Sequence, residues 1–190
     1  MSTEADEHRA QLRAAVLKLK APEASKRAPA PTSSVFGRAR AAVPDDVRPA
    51  ATREALGARF RNVETTALMS GTTMMLAVLP DPRTVPPELA RSMELLVAAN
   101  AVVVALGKDL PRQVDRTRPL TLPLRSDDDL ASEWALLALG SAKRVAFLAR
   151  RNGELWDWMI TRDPVAVQRA GTAILERVPF LRLRVPALKD

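Results

Sequence analysis

Along most of this chain apolar residues recur in steps of three and four, the spacing that puts them on one face of a helix. The pattern predicts an opening helix over 4–19, with Leu12, Val16 and Leu19 in phase and Thr3 and Asp6 placed for a capping box. A long second helix is expected over 50–79, where Leu56, Phe60, Val63, Ala67, Ser70 and Met74 alternate steps of four and three. Ser70-Gly71-Thr72-Thr73 interrupts it with poor helix formers, enough to bend it or split it in two. A third helix starts at Pro86-Pro87 and stops at Gly107, apolar on nearly every side apart from Asn100. Ser126-Asp127-Asp128-Asp129 then signals the start of a helix over 130–151, with Leu130, Trp134, Leu137, Ser141, Val145 and Leu148 on its seam. Shorter helices follow over 154–160 and 164–178.

Three stretches break the period. Residues 22–44 are rich in Ala, Pro and Ser and bury too little apolar surface to be compact alone, so they read as an arm. Residues 108–126 form a Pro- and Arg-rich connection that holds Leu120-Thr121-Leu122-Pro123-Leu124. The tail Phe180-Leu181-Arg182-Leu183-Arg184-Val185 alternates with period two and fits a short strand, pairing with 120–124, where Pro123 permits only an edge position. The fold expected from these elements is all-α: a bundle of three long helices plus shorter ones, with an extended N-terminal arm and a short extended C-terminal tail. Residues 1–45 would form the N-terminal helix and arm, and residues 46–190 the bundle domain.

Composition narrows the chemistry more than the fold. The 190 residues include no cysteine, no tyrosine and one histidine, His8, in the predicted N-terminal arm, so the side chains that most often carry proton transfer, nucleophilic attack and metal ligation are scarce. Phosphate-cradling glycine motifs, zinc spacings and the Gly-x-Ser-x-Gly elbow are missing as well. No cofactor and no metal are expected. The acidic first residues do not resemble a secretory signal, and the longest nearly apolar run, 95–106, is too short to span a bilayer; a cytoplasmic protein is expected. The net charge of +7 suits an anionic partner, but it is spread thinly over the whole length.

Four constellations remain. Asp127, Asp128, Asp129 and Glu133 place carboxylates one turn apart, a spacing able to hold Mg²⁺, yet they sit where a helix begins and read first as its cap. Lys143, Arg144, Arg150 and Arg151 form two basic pairs two turns apart on one helix face, which Arg112, Arg116 and Arg118 would enlarge if folding brought them near. Trp156 and Trp158 cannot both face inward from a short helix, so one of them points to a contact surface, with Leu181, Leu183 and Val185 of the alternating tail as further attachment points. Asn100, alone in an apolar helix, would set the register of an oligomer.

The function these features favour is non-enzymatic: a structural or interaction protein, self-associating or partner-bound within a larger assembly such as a phage particle, secretion machine or regulatory complex. The alternative is a basic nucleic-acid-binding protein using the 143–151 helix face and the N-terminal arm. An enzyme working with the carboxylates of 127–133 is the remaining option.

Overall fold

The longest apolar runs of the chain form strands rather than helices. The computed structural model describes residues 34–80, 87–115, 117–140, 143–178 and Val185. In chain order its elements are α1 (Val35–Arg40), β1 (Arg48–Ala51), α2 (Arg53–Met69), β2 (Thr72–Leu79), α3 (Pro87–Ala98), β3 (Val102–Lys108), β4 (Leu120–Leu124), β5 (Glu133–Gly140), β6 (Arg144–Asn152), β7 (Leu155–Thr161) and α4 (Pro164–Leu175), with 3₁₀ turns at Pro44–Asp46 and Asp129–Ser132. The strands make one mixed sheet in the order β1-β7-β6-β5-β2-β3-β4. β2, β3 and β4 run parallel; every other pairing is antiparallel.

Helices cover both sides of this sheet, and alternation along each strand divides the core in two. On one face Met74, Leu76 and Val78 of β2, Leu137 of β5 and Leu148 of β6 pack with α1 and with Ala166, Ala170 and Ile174 of α4. On the other face Met75 and Ala77 of β2, Leu136 of β5 and Phe147 of β6 pack with Leu56, Phe60 and Val63 of α2 and Leu89, Met93 and Leu96 of α3.

The expectation of an all-α helical bundle is therefore wrong, and the error has one physical source. A strand buried on both faces is a continuous apolar run with no polar alternation, so it fits a helix template as well as a strand template. Met74–Leu79, Val103–Gly107, Ala135–Leu139 and Val145–Ala149 are such runs, buried at every position. The predicted helix over 50–79 divides at Ser70-Gly71, where Gly71 takes φ +65°, into α2 and β2. The helix expected up to Gly107 ends at Ala98, and Asn100 turns the chain with φ +65° into β3, whose Val102-Val103-Val104 favours extended backbone. The helix expected over 130–151 is the β5–β6 hairpin, and the one over 154–160 is β7. The helix over 164–178 is present as α4, opened by Asp163, whose carboxylate accepts from the Ala166 N–H at 2.8 Å.

Leu120–Leu124 is extended and forms an edge of the sheet, with Pro123 opposite Gly107 of β3. The predicted helix over 4–19, and Leu181 and Leu183 of the tail, lie outside the described residues. The part of the predicted arm from Ser34 onward packs into the core through Val35, Phe36 and Ala39. Among the described residues no helix is long and apolar enough to cross a membrane.

Candidate interaction surface

Hairpin β6–β7 and helix α2 build an aromatic cluster on one face of the sheet. Phe60 of α2 stacks on Trp134 of β5 with ring centroids 5.0 Å apart and planes 29° from parallel. Phe147 of β6 meets both rings edge-on, at 5.6 Å and 5.5 Å, and Trp156 of β7 meets Trp134 edge-on at 6.4 Å. Edge-to-face contacts of this kind add to the area that the rings bury and fix their orientation.

Because β7 is a strand, Trp156, Trp158 and Ile160 share one face, the reverse of what a helical segment would require. Their exposure rises along the strand: Trp156 is 7% exposed, Trp158 is half-buried and Ile160 is 37% exposed. The cause is the path of α2. It begins next to β1, whose Ala51 pairs with Trp156, and crosses the sheet to deliver the chain into β2, leaving the far end of β7 uncovered. At the margin of this cover the guanidinium of Arg59 lies over the Trp158 ring, 4.1 Å from its centroid. Asn62 and Thr66 continue the same side of α2, one and two turns on. Arg48 of β1 pairs with Trp158 across the strands and so stands on the same face.

The other anticipated groups are dispersed. Arg144 and Arg150 lie six residues apart on strand β6, about 20 Å at the usual rise per residue, and Arg151 points to the opposite face. The basic helix face expected over 143–151 is thus a strand with its charges at two ends; Arg144 donates to the Arg162 carbonyl, Arg151 to the Gly153 carbonyl, and Lys143 is exposed in the turn before β6. Arg112 and Arg118 are exposed in the connection to β4, four strands away from β6, and Arg116 lies outside the described residues. Asn100 is exposed at the α3–β3 turn instead of buried in a helix. Val185 is 9% exposed and packs against Gly171 of α4, within the core.

The carboxylates of 127–133 also part company. Asp127 pairs with Arg125 at 2.6 Å on the surface. Asp128 caps the 3₁₀ turn by accepting from the Leu130 N–H at 2.9 Å, as a helix-start signal should, and it takes a two-pronged ion pair from Arg177, at 3.0 and 3.2 Å, with both side chains 4% exposed. Arg177 also donates to the Ala173 carbonyl at 2.9 Å, so this buried pair fastens the end of α4 to the loop before β5. Glu133, 1% exposed, turns the other way: it accepts from the Ser34 hydroxyl and from the N–H groups of Val35 and Phe36, at 2.8 and 3.2 Å, capping α1 from across the molecule. Burial pushes its carboxyl above the usual carboxylate range, against the pull of those donors and of Arg150, its cross-strand neighbour. Among the described residues no three His, Asp or Glu side chains converge as a metal site would require.

The Arg59–Trp158 pair is invisible in the sequence because the partners lie 99 positions apart. Only the period-two spacing of Trp156 and Trp158 hinted that both belong to one face. Comparison with protein-family models, with curated proteins and with solved structures found no match.

Proposed function

We propose that this chain is a non-enzymatic interaction protein that docks a protein partner on the β7–α2 surface around Trp158. The observation that carries the reading is the exposure gradient along one strand face. Trp156 and Phe147 belong to a packed aromatic cluster, and the same row continues into a half-buried tryptophan and an exposed isoleucine that α2 leaves uncovered. Half-covered aromatic side chains next to arginine are the residues that anchor protein interfaces.

Two further features support it. The buried Asp128, Arg177 and Glu133 each hold one element to another. Both sheet edges are blunted against strand addition: β1 is four residues long, with Pro49 and a left-handed Ala50, and β4 carries Pro123 and a bridge from Gln113 to Thr121. A partner is therefore expected on a face.

A photo-crosslinking residue placed at Trp158, with Gln168 on the opposite helical layer as control, tests this in the native host. Crosslinking of one protein at position 158, competed by excess unmodified chain and missing at 168, is the expected outcome. Equal labelling at both positions, or none, overturns the reading.

A further inference from the structure

The chemistry around Trp158 also specifies the partner. Arg59 has no hydrogen-bond or ion-pair partner among the described residues; its one described contact is the Trp158 ring. A guanidinium laid on an indole face is held by cation–π attraction and dispersion, while its N–H groups point outward in the plane of the stack. That arrangement prepays the ordering of a long side chain and leaves a donor fork of the shape that a carboxylate accepts with both oxygens. Arg48 adds a second guanidinium on the same face, and its one described hydrogen bond is a long one, 3.5 Å, to the Asp45 carbonyl.

Among the described residues no carboxylate pairs with either guanidinium: Asp45 and Asp46, in the 3₁₀ turn that leads into β1 and packs on β7, are the nearest in the chain to Arg48, and only the Asp45 backbone carbonyl accepts from it. Among the described residues α2 has two acidic side chains: Glu54 is exposed but more than a third of a turn away from Arg59, and Glu64 is buried. Asp157 belongs to the opposite face of β7, where it accepts from the Asn152 amide. On the same strand face the free part of Trp158 and, two residues on, the exposed Ile160 supply apolar surface.

We infer that the Arg48–Arg59–Trp158–Ile160 surface binds an acidic segment of a partner protein, carboxylates on the guanidinium groups and an apolar side chain against Trp158 and Ile160. The inference rests on the reading of this face as a protein-docking surface and adds the partner's chemistry. Single-stranded nucleic acid is the competing anion. A base would have to stack on the indole face that Arg59 already occupies, so the geometry favours carboxylates.

Fluorescence anisotropy with three labelled probes decides it: a short peptide alternating Glu and Leu, its Gln–Leu counterpart and a single-stranded DNA oligonucleotide. The Glu–Leu peptide is expected to bind, and the Gln–Leu peptide about tenfold or more weakly. Arg59→Met keeps an apolar stem over the ring and removes the charge; it should weaken the Glu–Leu peptide about tenfold, while Arg169→Met on exposed α4 surface leaves the Kd unchanged. Equal binding of the two peptides, no binding of either, an unchanged Kd in Arg59→Met, or tighter binding of the oligonucleotide with displacement of the peptide would each overturn the inference. Should the peptides fail while position 158 still crosslinks one protein in the host, the acidic partner falls and the docking surface stands. Loss of both removes the two together.

Discussion

Asp128 and Glu133 are both buried carboxylates, and each ties two separate elements together. Asp128 caps the turn that follows it, as its place in Ser-Asp-Asp-Asp-Leu announces, but nothing in that stretch foretells its ion pair with Arg177, 49 residues on. Glu133 is the stronger case, because a carboxylate apparently belonging to an acidic cluster instead caps α1 through Ser34, Val35 and Phe36. Its raised folded-state pKa has a defined sign in stability. Ionisation costs more in the fold than in the unfolded chain, so the contribution of Glu133 is fully present below the ordinary carboxylate pKa and is lost as pH rises through the folded value. Glu133→Gln keeps a carbonyl oxygen for the α1 N–H groups and removes the ionisation. Urea titrations from about pH 4 upward should therefore show a smaller decline of stability with rising pH in the variant than in the parent. Parallel pH profiles of the two would rule this account out.

At the level of elements the outcome turned on whether one face or both faces were to be buried. α4 keeps a polar side, with Gln168, Arg169 and Thr172 exposed, and so shows its helical period in the sequence; β2, β3, β5 and β6 have no polar side along their centres and show no period of two. Punctuation is legible at Ser70-Gly71, whose poor helix formers mark the end of α2, but not at Asn100, which the sequence places inside an apolar helix and which in the fold turns the chain after α3. Strand packing sets a sharp constraint at Gly107 of β3, where an added Cβ would come within 2.8 Å of the Leu79 carbonyl oxygen on β2 and 3.0 Å of Leu110. A backbone oxygen in a paired strand cannot step aside, so Gly107→Ala should cost about 1–3 kcal/mol. Gly57 in the middle of α2 has nothing closer than 3.8 Å to such a Cβ, and Gly57→Ala should gain about 0.5–1 kcal/mol from the lower entropy of the unfolded chain. Urea midpoints of the two variants, moving in opposite directions at constant m value, check both; a Gly107→Ala midpoint equal to the parent's would mean that β2 and β3 do not approach as described.

For the molecule as a whole, one sheet is shared by two cores, and this makes them interdependent. Every central strand sends alternate side chains to α1 and α4 on one side and to α2 and α3 on the other, so neither layer can melt without exposing the strands that support its counterpart. Loss of far-ultraviolet circular dichroism and of tryptophan fluorescence from the Trp134–Trp156 cluster should therefore coincide in a single urea transition. Two separated transitions would show that the layers fold apart. The same architecture underlies the proposed docking surface, since it blunts both edges and leaves uncovered the end of β7 that α2 crosses away from. By itself the sequence determined what depends on short range: turns, caps, the amphipathic α4, the edge position of Leu120–Leu124 and the scarcity of reactive side chains. Only the tertiary structure decided that the central apolar runs are strands and that Arg59 meets Trp158, because burial on two faces erases the polar alternation that marks a strand, and residues far apart in the chain become neighbours only through sheet order.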